Sequence, residues 1–589
     1  MKKSIFMSIV AAMALTACSS DEPLMDANVN DNNETLEAGN HYLSINIVAA
    51  PGNGGGTATL STRATGDPNG SATYEDGNPD ENKVNAVRFY FFDNEGNAAC
   101  VKADGSNNVY FQAPGTATGD APNVEKKVNA LIVISTKDGD KFPSQIVAVV
   151  NPDEEGLDGT SLDLPTLRAR HKNYVATAKG DNGAFVMINS VYSQNGEIST
   201  TAVTRENYGE NETEAKKSPV NIYVERAVAK VRVKLGANLG VDGNNRIALK
   251  DAEGKNIVID GKQIYLQLSK WNLTAETDEG WLSKHIDASW ASDLFGAEPW
   301  NWEPYFRSYW ASSYANPVSN QLWHPYNDII ANGKEFGNDN YIYTNENTVQ
   351  TLNLTKASEG ADIEPLTKVI MAGTLVDATG KAIDVVKYAG ASYAGTQSLK
   401  ALLLDNLANS GMIYSYTTNG TNVTFSTLKD EDVDFITAED ADIAGVTESE
   451  KTNGRYNVYL QLSQTGAAKN WTKNANPDTY EAGKFTDNTS VNSYLATIWG
   501  PAQIYKNGLT YYYFPIRHLG ESGKVGYYGV VRNHIYDCTV NSITGLGTPV
   551  YNPEQTVYPE KPKDENTYIA AVINILSWRV VPNDYDLEW

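Results

Sequence analysis

The residues best able to bind a metal or carry a proton near neutral pH are six histidines, His41, His171, His285, His324, His518 and His534. No two of them stand at the spacing of a helical zinc motif, so a metal site has no support in the sequence. His518 and His534 lie in neighbouring strand candidates and can meet, which is read as packing. The acidic run from Asp430 opens like a calcium loop, with Asp432 and Asp434 following. It then has Phe435 where the turn glycine belongs and Ala441 where the bidentate glutamate belongs, which excludes an EF-hand. The glycine-rich "GNGGGT" lacks the Lys-Ser/Thr pair of a phosphate loop, and no GxSxG elbow occurs. Cys100 and Cys538 fall in different parts of the chain and are expected as separate buried thiols. The aromatic run "WNWEPYFRSYW", Trp300 to Trp310, could stack on a sugar or a cation. With no second carbohydrate signal, it is read as packing at a sheet edge or subunit junction. Neither an enzyme nor a cofactor is expected.

What remains is a chain built of strands. Strand candidates include "HYLSINIVAAP", "VNAVRFYFFD", "KVNALIVIST", "SQIVAVVNP" and "VNIYVERAVAKVRVKL". After Gly236 come "KQIYLQLSKWNLTA", "TKVIMAGTLVD", "NVYLQLSQ", "LTYYYFPIRHL" and "YYGVVRNHIYDCTVNSI". Their β-branched and aromatic residues, punctuated by Gly, Asn and Asp, predict sandwiches rather than a parallel α/β sheet. One segment predicts a helix, Thr396 to Ser410, with Leu399, Leu402, Leu403 and Leu407 on one face. The last stretch, "YIAAVINILSWRVVPNDYDLEW", alternates with the period of a strand. It follows a proline-rich stretch, Pro549 to Asn566, read as an extended spacer that holds it away from the preceding domain. A terminal strand this apolar needs a partner, and the spacer points to a partner on another molecule.

With 589 residues the chain is too long for one core. Its formal charge of −25 argues against nucleic acid as a partner. Met1-Lys2-Lys3, the apolar Ile5 to Ala17 and the closing "LTAC" read as a lipoprotein export signal, with Cys18 lipidated. "SSDE" after it is similar to an acidic signal for the outer face of the outer membrane, and Asp21 to Asn40 reads as a flexible tether. The region from Gly52 to Lys83, rich in Gly, Asn, Asp and Thr, reads as an exposed and cleavable loop.

Six stretches taken in order resemble the fimbrilin family of Bacteroidales type V pili, in particular its minor-fimbrium-type shaft subunits. They are "NIYVERAVAKVRV", "LQLSKWNLTAETDEGWLSK", "FRSYW", "YYYFPIRH", "YYGVVRNHIYDCTV" and "INILSWRVVPNDYDL". The region from about Ala311 to Lys451 carries no such motif. The resemblance implies a mainly β fold of two tandem transthyretin-like β-sandwich domains with a few short helices and a C-terminal donor strand. The implied divisions are a signal peptide (1–17), a propeptide with tether and first strand (18–63), sandwiches at 64–236 and 237–548, and a linker with donor strand (549–589).

The resemblance also implies a mechanism. An Arg-specific, trypsin-like protease cuts Arg63-Ala64 in "LSTRATGDP", and the first strand, with Leu43, Ile45 and Ile47, departs together with the lipid on Cys18. The C-terminal strand of another copy or a related pilin then fills the groove through Ile569, Ala571, Ile573 and Ile575. Trp578 and Val580 change to the other face, which predicts a bulge near Leu576-Ser577. The expected product is a cell-surface fimbrium that supports adhesion, with a lipid-anchored precursor on the outer membrane. The alternative is an anchored glycan-binding lipoprotein using Trp300, Trp302, Tyr305 and Trp310.

Overall fold

The computed structural model describes residues 38–48, 60–61, 71–76, 81, 83–99, 109–112, 127–137, 139–152, 162–179, 184–189, 200–285, 313–314, 321–348, 366–410, 413–444, 457–518, 528–558, 568–579 and 585–587. The fold is mainly β, in several sheets with few helices, as the strand-rich sequence predicts.

The first strand, β1 (Gly39–Val48), is an interior strand. Further strands include β3 (Ser71–Asp76), β4 (Val87–Phe92), β5 (Lys127–Thr136), β6 (Gln145–Val150), β7 (Met187–Asn189) and β8 (Val220–Arg226). β2 is the short strand Leu60–Ser61. Within a ten-stranded sheet the order β5-β1-β8-β7-β6-β4 is continuous, with the strand Val109–Gln112 on the far edge of β4. β1 pairs antiparallel with β5 along its whole length, Gly39 opposite Thr136 and Val48 opposite Lys127. On its other side it runs parallel to β8, from Ile45 opposite Val220 to Val48 opposite Tyr223. All six residues of β4 are buried, Arg88 among them, which explains why apolar side chains fill the rest of the strand without alternation. Residues from across the sheet, among them Leu43, Phe89, Ile132, Val149 and Ile222, share a single core.

The chain passes to a second core within one run of sequence. Ala227 and Val228 belong to the first core, and Ala229, Val231 and Val233 belong to the next. The handover therefore falls inside "VERAVAKVRV", ahead of the boundary expected at Gly236. β9 (Val228–Leu235) pairs parallel with β14 (His534–Thr544) and antiparallel with β11 (Tyr341–Asn345). A second sheet contains β10 (Tyr265–Thr274), β12 (Lys368–Val376) and β13 (Leu509–Pro515). Val231, Tyr536 and Cys538 from the first of these sheets share a core with Trp271, Met371 and Tyr512 from the second. Two sheets closing on one core make a sandwich.

Between β12 and β13 the chain builds a third core that the expected two-domain division does not contain. Val386, Leu460 and Ile504 come from a separate five-stranded sheet, and two helices cover it. α1 (Thr396–Ser410) supplies Leu399, Leu403 and Leu407. Leu402 is 39% exposed, so it leaves the face on which the sequence placed it. α2 (Asn488–Trp499) is started by a capping box, in which the Asp487 carboxylate accepts from Ser490 N at 2.7 Å.

The expected spacer is packed over its first half. Val550 and Val557 join a small core with Tyr326 and Ile329, and Asn327 N donates to Pro553 O at 3.0 Å. Proline-rich sequence without helical or strand periodicity is compatible with extended chain lying on a surface as well as with a free tether.

Candidate functional site

The two segments singled out for exchange, the first strand and the last, both lie in sheets of this chain. Leu43 and Ile45 are fully buried, and Ile47 is 1% exposed, as the alternation of β1 requires. Because β5 and β8 pair with opposite edges of β1, its removal would open a slot with unpaired backbone on both sides.

The last strand, β15 (Tyr568–Arg579), pairs antiparallel with β14. Ala571 stands opposite Val540, Ile573 opposite Cys538 and Ile575 opposite Tyr536, and all three partners are fully buried. Ile569 stands opposite Ile543. The expectation that the spacer keeps this strand from its own domain is therefore not met in this structure. The register shift lies between Val540 and Ser542 of the partner strand, and β15 runs on through Trp578 to Arg579. The extra residue therefore lies on β14, opposite Ala570 and Ala571, and β15 shows no register shift at Leu576-Ser577, where a bulge was expected. Its other edge is covered by β3, in parallel, from Thr73 opposite Leu576 to Asp76 opposite Arg579. A last short strand, β16 (Tyr585–Leu587), lies parallel to β5 on the edge away from β1. Val580 lies outside the described residues, as do Cys18, Arg63, Ala64 and the aromatic run Trp300 to Trp310, including Trp302 and Tyr305.

The position of Arg63 along the chain is nevertheless bracketed. It falls between β2 and β3, which pair through Leu60 opposite Ala72 and Ser61 opposite Ser71. Arg88, the other arginine near the first strand, is 7% exposed within β4, where a protease has no access.

A buried ionic seam joins the first two cores, and the charged residues of the quoted motifs build it. Arg532 donates through Nε and Nη2 to Glu346 at 3.1 and 2.9 Å, and through Nη1 to Leu282 O at 2.7 Å. Lys284 Nζ lies 3.4 Å from Glu225 Oε2, with both side chains fully buried. Glu81 accepts from Lys230 Nζ at 2.9 Å, and its carbonyl accepts from Arg226 Nε at 3.1 Å. Asp537 accepts from Arg232 at 3.0 Å and Lys234 at 2.9 Å. Burial pulls Arg226 down to about 9 against the upward pull of Glu81. Burial would also lower Arg532, but Glu346 and Glu225 outweigh it and the net direction is upward. His534, buried and close to Lys284, is held down to about 4. His518 and His534 do meet, edge to face with centroids 5.0 Å apart, and His518 Nδ1 shares a hydrogen bond with the Tyr536 hydroxyl at 2.9 Å. They are packed groups within the fold. Cys538 is a buried free thiol whose pKa burial drives upward, and Cys100 lies outside the described residues. Charges set inside β-branched runs were the signal for this seam, since strand-interior Arg and Lys need buried partners.

Residues 503–584 match the family described as major fimbrial subunit protein type IV, fimbrillin, C-terminal. This stretch holds β13, β14 and β15, so the last strand and the strand it pairs with both fall inside the fimbrillin match. Among solved structures, the chain is similar to a fimbrilin (FimA) from Porphyromonas gingivalis W83. The two are 11% identical with a TM-score of 0.36, over 91% of this chain and 98% of that one. It is also similar to the tip fimbrial protein Mfa3 of Porphyromonas gingivalis, 11% identical with a TM-score of 0.32, over 92% and 100% of the respective chains. No curated protein matches the chain.

Proposed function

We propose that this chain is a structural subunit of a cell-surface fimbrium, exported as a lipoprotein on Cys18, cut at Arg63-Ala64 and polymerised by donor-strand exchange. One observation carries the reading most directly. β1 is an interior strand of the first sheet, yet it stands on the opposite side of Arg63 from every other strand of that sheet. A single cut there makes it a separate peptide.

The energetics support replacement rather than simple loss. Leu43, Ile45 and Ile47, at roughly 1.5–3 kcal/mol each, hold about 5–9 kcal/mol of apolar burial. Both edges of the slot also need backbone partners, because buried amide groups left without them are costly. A strand from a neighbouring subunit restores both terms by β-strand addition. The segment Tyr568 to Trp589 has the alternation for that role. The partners are other copies or related pilins, an Arg-specific protease and, for the precursor, outer-membrane lipid.

The test separates the two halves of the exchange. An Arg63→Ala chain is expected to remain a monomer that keeps β1 and cannot accept a strand. A chain lacking Tyr568 to Trp589 is expected to be cut normally and never to extend a polymer. If both variants still polymerise, strand exchange is the wrong mechanism.

A further inference from the structure

β15 lies between two strands, and the outer one is tied to the proposed cut. The sheet order is β2-β3-β15-β14. β2 lies before Arg63 and β3 after it, so the sheet that holds the C-terminal strand contains pieces from both sides of the scissile bond. The chain from β1 to Glu81 is pinned at both ends. At one end β1 is hydrogen-bonded on both edges. At the other, Glu81 is 2% exposed and held by Lys230 and Arg226. β3 is short, six residues, with four of them in register against β15. Pairing so limited depends on the tether at each end to keep β3 in place.

Cutting at Arg63 removes one tether and strips β2 from the outer edge of β3. The second contact of the tail is altered as well. β16 lies on β5, and β5 loses β1 from its other edge when the propeptide leaves. The two strand pairings that the tail makes beyond β14 among the described residues, with β3 and with β5, therefore run through elements that the cut disturbs.

We propose that β3 is a clasp that holds the chain's own C-terminal strand in cis until the cut at Arg63, so that one proteolytic event releases the donor strand as well as opening the acceptor slot. The partner that receives the released strand is a second cut copy of this chain. The inference rests on the strand-exchange reading above and adds to it. In that reading alone, an uncut chain cannot accept a strand but could still give one. With the clasp, the uncut chain can do neither, which keeps precursors from pairing before they reach the protease.

Hydrogen exchange on the full chain tests this without a substitution. Lipid-free precursor is labelled uncut, and again immediately after a trypsin cut, at a dilution where it stays monomeric during labelling. Amides of Tyr568 to Arg579 are expected to exchange at least tenfold faster after the cut, and unchanged protection would overturn the clasp. A second arm uses donation. Arg63→Ala chains are added to freshly cut wild-type chain, with or without Thr73→Pro and Tyr74→Pro, which remove backbone donors from the β3 ladder. The proline-bearing chain can give its strand but accept none, so each one that donates stops a polymer. The proline variant is expected to shorten the ladder on an unboiled denaturing gel, while Arg63→Ala alone leaves it near its normal length. Equal shortening by both would overturn the clasp. If the cut wild-type chain forms no ladder at all, the strand-exchange reading falls and takes the clasp with it. A normal ladder with equal shortening removes the clasp alone.

Discussion

Shortening Ile45 inside β1 separates the precursor from the polymer, because the proposed exchange discards that residue. Ile45 is fully buried between Leu43 and Ile47, in register with Ala130 on β5 and Val220 on β8. Removing its outer methyl groups as Ile45→Ala is expected to cost about 2–5 kcal/mol, and Ile45→Val about 0.5–1.5 kcal/mol. Uncut, that loss appears as a less stable first core. Once Arg63 is cut, the same loss weakens the hold on a peptide that is no longer covalently attached. At roughly 1.4 kcal/mol per factor of ten, Ile45→Ala would speed release of β1 by about 30-fold or more, and Ile45→Val by about two- to twelvefold. The assay is a timed digestion, with free propeptide followed by mass spectrometry and oligomers by unboiled gel. Polymers of both variants should melt at the wild-type temperature, since neither contains residue 45. Polymers destabilised in step with their precursors would show that β1 stays in the assembled subunit, and the exchange argument would fail.

Other expectations follow from the buried seam. Glu346→Ala leaves the Arg532 guanidinium buried without its carboxylate and is expected to cost about 3–5 kcal/mol, whereas an apolar pair at both positions should recover most of it, as read by chemical denaturation. His534 is held near 4, below its usual 6.5, so between those values the unfolded chain binds a proton that the fold refuses. Stability from this group is complete above about pH 6.5 and falls as the pH drops toward 4, by on the order of 3 kcal/mol. A His534→Gln chain that kept the same acid slope would refute that assignment. Cys538 should resist thiol reagents until the second core unfolds, because it is buried and burial raises its pKa. Rapid labelling in the native state would contradict its placement.

How far the fold could be read in advance depended on whether its signal was local. The alternation in "YLSINIV" marked Leu43, Ile45 and Ile47 as inward, and all three are buried. The helix over Thr396 to Ser410 appears with the same limits, although Leu402 turns outward because the covered stripe is narrower than four leucines suggest. The third core was not legible. Its strands at 385–388, 457–462 and 502–505 are separated by long stretches of chain, and periodicity shows that a strand has a buried face without saying which sheet it joins. The same limit applied to the tail. Its alternation called for a partner strand, and a proline-rich approach suggested a distant one, while in this chain β14 provides the pairing. The ionic seam was visible only as odd charges, Arg226, Lys230 and Arg232, inside a strand-like run. Their partners Glu81 and Asp537 lie far away in sequence, so only the fold brings them together.

The central claim is that one cut at Arg63 converts a closed monomer into a subunit that exchanges strands. Folded, lipid-free precursor should be digested with a trace of trypsin and run unboiled on a denaturing gel, with the new N-terminus sequenced. A ladder of multimers beginning at Ala64 is the result the account predicts. A monomer cut at Arg63 that retains its first strand and forms no ladder would contradict it.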